Sequence, residues 1–145
     1  MAKVLAVNIS REKGVIKVPV EKGVFLENHG LEEDAHAGEW HRQVSFLGQE
    51  SVDKIKALGI ENLEAGVFAE NILTEGIVLY ELPVGTRLQV GETIQEVTQI
   101  GKKCHHGCEI FKKVGDCVMP REGIFTRVVR GGVVKAGDTI EIIND

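Results

Sequence analysis

The chain has 145 residues, 43% of them hydrophobic, enough to bury one core, so neither disulfides nor a structural metal is needed for stability. A formal net charge of −5 argues against general nucleic-acid binding, because a polyanion is repelled by an acidic surface. The longest apolar runs, such as "VLAV" and "ILTEGIVLY", are too short to span a bilayer as a helix.

The first stretch, "KVLAVNIS", reads as a strand and lacks the basic-then-apolar order of a secretory signal. The expected setting is the cytoplasm, with no membrane attachment. "GVIKVPV" is β-branched and reaches Pro19, a residue suited to a sheet edge or strand end. The loop "EEDAHAGEWH" carries Asp34, His36, Trp40 and His41, and Arg42 follows at the start of the strand candidate "RQVSFL". An arginine at the mouth of a β structure is suited to a phosphate or carboxylate through its forked donors. A solvated loop with surface ion pairs is the plain alternative. Trp40 either packs over a pocket or caps the core.

"GQESVDKIKALG" predicts one amphipathic helix, with Val52, Ile55 and Leu58 on one face and Gly59 at its end. "GVFAENILTEG" sets Glu70 and Asn71 among apolar residues. Such a pair is either a buried hydrogen-bonded brace or a ligand contact.

From residue 82 onward, Gly85, Gly91 and Gly101 punctuate short runs at the spacing of β-hairpins. Leu88 and Val90 alternate there with Arg87 and Gln89. A second, shorter helix is expected from about His105 to Lys113. Gly131-Gly132 and Gly137-Asp138 are turn signals near the end. At least one of Arg127 and Arg130 is expected on the solvent face of a strand, without a function. The whole predicts a mainly β protein: a closed or partly closed β-barrel with one or two short helical insertions, forming a single domain over 1–145. A parallel α/β sheet is disfavoured because helices are missing between most strands.

The densest chemistry is "GKKCHHGC", residues 101–108. The chain has only three cysteines and five histidines, and two of each fall here. An odd cysteine count with Cys104 and Cys108 four apart speaks against a disulfide framework. Lys102, Lys103 and His105 flank Cys104, and nearby positive charge lowers a thiol pKa. A helix starting near His105 would favour a thiolate further. Three alternatives stand beside a reactive thiolate. One is an inert cysteine with solvated lysines. Another is a zinc site from Cys104, Cys108, Cys117 and His105 or His106. The last is a redox pair, although the spacing is not the two-residue one of thioredoxin-like motifs.

These stretches, in order along nearly the whole chain, resemble the MOSC domain, the family named for the C-terminal domain of molybdenum cofactor sulfurases. "GLEEDAHAGEWHRQVSFL" resembles its Gly…Asp-x-His-x-Gly…Arg-x-Val stretch, and "GVFAENI" its Gly-x-x-x-Glu-Asn segment. "LPVGTRLQVGETIQEVTQIGKKC" resembles the segment ending at the family cysteine, and "GIFTRVVRGGVVKAGDTIEI" the closing hairpin. The resemblance implies a MOSC-type barrel and a cysteine, by position Cys104, that ligates molybdenum of the pterin cofactor or carries sulfur to it. Arg42 and Asn71, with His36, Lys102 and Lys103, become candidates for holding that cofactor. Lys103 stands where many members have proline. Cys108, Cys117, His105, His106 and "GDCVMPREGIF" read as an elaboration of a subgroup.

Two further expectations come with the resemblance. In a sulfur carrier, Cys104 takes a persulfide from a separate cysteine desulfurase, Lys102, Lys103 and His105 steady the anionic sulfur, and Cys108 resolves or shuttles it. The receiving partner is the molybdenum cofactor assembly machinery or a molybdoenzyme. The chain has no room for a pyridoxal-phosphate fold, so that cofactor is not expected here. A molybdenum-dependent reductase of N-hydroxylated compounds with a separate electron donor is the enzymatic alternative. A zinc-stabilised binding module is the non-enzymatic one.

Overall fold

The computed structural model describes residues 2–12, 16–57, 65–66, 68–101 and 122–143. Its elements are β1 (Lys3–Ile9), β2 (Val18–Val20), β3 (Lys22–Leu26), β4 (Gly30–Leu31), β5 (Val44–Gly48), α1 (Gln49–Lys56), β6 (Ile72–Glu75), β7 (Arg87–Val90), β8 (Thr93–Ile100), β9 (Ile124–Arg130), β10 (Gly132–Lys135) and β11 (Ile140–Ile143). Eight strands form one sheet in the order β11-β7-β8-β9-β5-β6-β1-β2, and β10-β3-β4 form a second sheet.

The mainly β expectation holds, but the large sheet does not close into a barrel. Among the described residues its two end regions share just one bridge, an isolated antiparallel one between Lys3 and Thr139, with Val4 N–H donating to the Asp138 carbonyl at 2.8 Å, Gly137 N–H to the Val4 carbonyl at 2.7 Å and Ile140 N–H to the Ala2 carbonyl at 3.0 Å. The strands there are short: β2 has three residues and β11 four. Pro19 also sits inside β2, opposite Asn8, and removes one ladder donor from that edge. Gly131-Gly132 makes no hairpin. It carries the chain from β9 in one sheet to β10 in the other, where β10 pairs with β3. A Cβ at Gly131 would lie 2.6 Å from the Phe25 carbonyl oxygen, so the crossing runs against β3 too closely for a side chain.

Two cores follow from strand alternation. Between the sheets pack Val4, Val7, Phe25, Leu31, Val44 and Phe46, with others. On the opposite face of the large sheet, Leu47 and Leu73 pack with Val52 and Ile55 of α1 and with Phe68 and Phe125. All five residues of β5 are therefore buried. The helix begins and lies as its periodicity predicts. Leu58 and Gly59 fall outside the described residues. α1 connects β5 to β6, which run parallel, the single parallel pair among the described strands and one not expected from the sequence.

The β7–β8 hairpin turns at Gly91, with φ +55°, and pairs Val90 with Thr93. The β8–β9 ladder matters most for function. It slips one residue between Val97 and Gln99, leaving Thr98 as a bulge, a device that re-aims side chains. The ladder ends at Ile100 opposite Ile124, where Gly101 N–H donates to the Gly123 carbonyl at 2.6 Å. Next to it, Glu122 is clamped to α1, accepting from Ser51 Oγ at 2.6 Å and from Lys54 Nζ at 3.0 Å. Arg127 is no idle surface charge, since it shares Glu96 with Arg87 across three strands.

Candidate anion site beside the β8 terminus

The loop from β4 to β5 contributes Asp34, His36, Trp40, His41 and Arg42. Two anchors shape it. Trp40 Nε1 donates to the His36 carbonyl at 2.7 Å, and Gly38 N–H donates to the His29 carbonyl at 2.7 Å. At its far end the bulged Thr98 hydroxyl donates to the His41 carbonyl and contacts the Phe125 carbonyl at 3.1 Å. The bulge thus ties the loop to the end of β8.

Arg42 lands on this junction. Its Nε donates to Gln99 Oε1 at 3.2 Å, and His41 Nε2 lies 3.0 Å from the same oxygen. Gln99 Nε2 donates to the Gly101 carbonyl at 2.7 Å. The guanidinium carbon lies 5.8 Å from the Trp40 ring centroid and 5.4 Å from that of Phe125, within cation–π range. Arg87 and Arg127 are both paired with a carboxylate. No carboxylate lies within ion-pair distance of Arg42 among the described residues. Held by its Nε and two rings, this guanidinium keeps its terminal amino groups available for an anion, the geometry that suits bidentate phosphate or carboxylate binding.

Behind the loop lies a buried ionic group. Lys17, whose side chain is fully buried, donates from Nζ to Asp34 Oδ1 at 2.8 Å and to Ser10 Oγ at 3.1 Å. The same Nζ lies 3.1 Å from His36 Nδ1. Asp34 also accepts from Ser10 N–H and His36 N–H, each at 3.1 Å. Burial acts to raise the Asp34 pKa, but the Lys17 charge and hydrogen bond and the Ser10 amide are among the contacts that outweigh it. The carboxyl is held well below the usual carboxylate range. A buried carboxylate needs such partners. Lys17 was not singled out from the sequence. Its one signal is a lysine amid the apolar residues of "GVIKVPV".

Asn71 is buried completely and braces three strands. Its Oδ1 accepts from Ser45 N–H at 3.0 Å and Ser45 Oγ at 3.2 Å, and its Nδ2 donates to the Asn8 carbonyl at 3.2 Å. Neighbouring Glu70 is also buried and accepts from Gly66 N–H at 2.9 Å and Phe68 N–H at 3.2 Å. Burial pushes its pKa up to about 7 against the pull of those amides and of the Lys17 charge.

The structure therefore brings Arg42 to the end of β8 and joins His36 to it through Trp40, while Asn71 lies in the interior. Gln99 and Phe125, opposite one another in the β8–β9 ladder, complete the Arg42 seat. Neither was foreseen, because a glutamine and a phenylalanine at strand ends carry no pattern of their own. Lys102, Lys103, Cys104, His105, His106, Cys108 and Cys117, and the helix expected from His105, lie outside the described residues.

A family model described as the MOSC domain matches residues 33–141, a span holding the whole Arg42 seat. The chain belongs to the MOSC domain family. Its fold is shared with solved structures. YuaD from Bacillus subtilis matches with a TM-score of 0.75 at 19% identity, covering 98% of this chain and 96% of its own. YiiM from Geobacillus stearothermophilus matches at 0.75 and 19% identity, covering 99% and 76%, and YiiM from Escherichia coli at 0.71 and 19% identity, covering 100% and 71%. At this identity the likeness is one of fold alone. None of the curated proteins matches this MOSC chain.

Proposed function

We propose that this MOSC protein binds molybdenum cofactor, or carries sulfur for its assembly, through Cys104, with Arg42 holding the anionic end of the bound group. The observation that carries this reading is the Arg42 seat. An arginine with no carboxylate partner among the described residues is fixed through Gln99 to the Gly101 carbonyl, and Cys104 follows Gly101 by three residues. The donor set fits the cofactor at both ends. A forked cation suits the pterin phosphate, and a thiolate is a soft ligand suited to a sulfur-rich metal centre. When bound, the cofactor supplies oxygen-atom and electron-transfer chemistry at molybdenum.

In the carrier role the Cys104 thiolate attacks the terminal sulfur of a persulfide on a cysteine desulfurase. A new S–S bond forms on Cys104, the donor's S–S bond breaks, and the donor leaves as a thiolate. Lys102, Lys103 and His105 are the cations that would steady the resulting anionic sulfur. The proposed partners are such a desulfurase and a molybdenum cofactor assembly protein or molybdoenzyme, and the proposed setting is the cytoplasm. No helix among the described residues is long and apolar enough to cross a membrane.

The test is sulfur uptake read by intact mass after incubation with a cysteine desulfurase and cysteine. One added sulfur on the wild type, removed by reductant and absent from Cys104→Ser, is the expected result for the carrier. Uptake undiminished in Cys104→Ser overturns the role given to that cysteine.

A further inference from the structure

The buried ionic group behind the loop poses a question that anion binding at Arg42 does not answer. Asp34 is already satisfied by backbone amides and by Lys17, yet Lys17 also reaches a ring nitrogen of His36. An ammonium has donors only. A ring nitrogen 3.1 Å from it is therefore the acceptor, and in a neutral imidazole the other nitrogen then bears the proton. The Lys17 side chain is fully buried, while that of His36 is 23% exposed. With Nδ1 turned inward to Lys17, the distal Nε2 edge is the part of the ring left facing out.

We infer that Lys17, anchored by Asp34, is a positioning residue for the β4–β5 loop: it fixes His36 as its Nε2–H tautomer and so leaves an N–H donor on the ring edge turned away from Lys17. What that donor meets rests on the proposed function; the tautomer does not. The arrangement works because a competing acceptor for the histidine proton has been removed from play. Asp34 Oδ2 lies 3.8 Å from Nδ1 and would capture an Nδ1–H if Lys17 were absent. Lys17 blocks that by offering its own proton to Nδ1. Ser10 holds both members of the pair, donating its N–H to Asp34 and accepting from Lys17 at Oγ, so the ammonium is fixed in direction. On the outer side, the Trp40 indole is bonded to the His36 backbone and lies under Arg42.

The experiment is ring-nitrogen NMR of the full chain labelled with 15N-histidine at mildly alkaline pH, with His36→Gln used to assign the signal. The wild type is expected to show a protonated Nε2 and an unprotonated Nδ1. In Lys17→Met the pattern is expected to reverse, as Nδ1–H turns to Asp34. Lys17→Met leaves a buried carboxylate without its cation and can cost folding. The double variant Lys17→Met/Asp34→Asn removes the pair as a unit, and is expected to lose the fixed tautomer and give averaged ring signals. A protonated Nδ1 in the wild type overturns the inference. So does a wild-type pattern in either folded variant. Loss of sulfur uptake or cofactor binding elsewhere leaves these spectra unchanged, so failure of the proposed function is read separately.

Discussion

Two buried carboxylates respond to pH in opposite senses. The Asp34 pKa is depressed in the folded state, so its contribution is present above the unfolded value of 3.8 and is lost as the solution becomes more acid. The Glu70 pKa is raised from 4.5 to about 7, so its contribution is complete below 4.5 and is lost as pH rises through about 7. Urea midpoints measured across pH test this at the residue scale. The wild type minus Glu70→Gln difference is expected to fall between those two values and to be flat above them. The glutamine itself should cost about 1–3 kcal/mol at low pH, because Gly66 and Phe68 donate to different oxygens of Glu70 and the NH2 that replaces one of them cannot accept, so an amide is left unpaired. A difference that does not change with pH contradicts the assignment. Lys17 shows why such groups hide from sequence reading. Its charge breaks an apolar run, but its partners Ser10, Asp34 and His36 lie in separate stretches that only the fold assembles.

At the element scale, the turn leading into β6 is wrapped around Glu70 and pinned to the segment before β2. Gly66 makes this possible. Its φ is +90°, and a Cβ there would lie 2.1 Å from the carbonyl oxygen of Lys17, the residue whose side chain carries the buried ammonium. Gly66→Ala is expected to lower stability by more than the ~1–3 kcal/mol of the left-handed backbone alone, since that overlap must also be relieved. Denaturation of the variant with an unchanged midpoint would show that the turn adapts freely. The elements that periodicity announces are those with local signals. The helix α1 follows from Val52 and Ile55 against charged neighbours, the β7–β8 hairpin from Gly91, and the edge position of β2 from Pro19. β3 was not singled out, nor was its pairing with β10, because the sequence at Gly131-Gly132 looks like a hairpin turn and only long-range contact with Phe25 and Glu92 shows it to be a crossing between sheets. The bulge at Thr98 is equally silent in sequence, yet it is what brings Gln99 and the His41 carbonyl together.

For the whole molecule, the open eight-stranded sheet serves to set one end of β8 against the β4–β5 loop. The strand pattern of "RQVSFL" sets Arg42 at a loop-to-strand junction, and the structure adds why it stays there: Gln99 on one side, Trp40 and Phe125 on the others. The interior brace made by Asn71 with Ser45 and Asn8 is the first of the two roles that its apolar surroundings left open, and it ties the start of β6 to β5 and β1. The central claim is that Cys104 and Arg42 hold one anionic, sulfur-bearing group between them. The most direct measurement is molybdenum, pterin, labile sulfur and zinc analysis of anaerobically purified wild type, Cys104→Ser and Arg42→Ala. Molybdenum with pterin, or labile sulfur, is expected on the wild type and absent from Cys104→Ser. Any pterin should bind roughly 10- to 100-fold more weakly to Arg42→Ala, the loss of a charge-assisted contact of about 1.5–3 kcal/mol. One zinc per chain, with no molybdenum, pterin or labile sulfur and a melting temperature that collapses in chelator, would contradict the account and make the cysteine cluster structural.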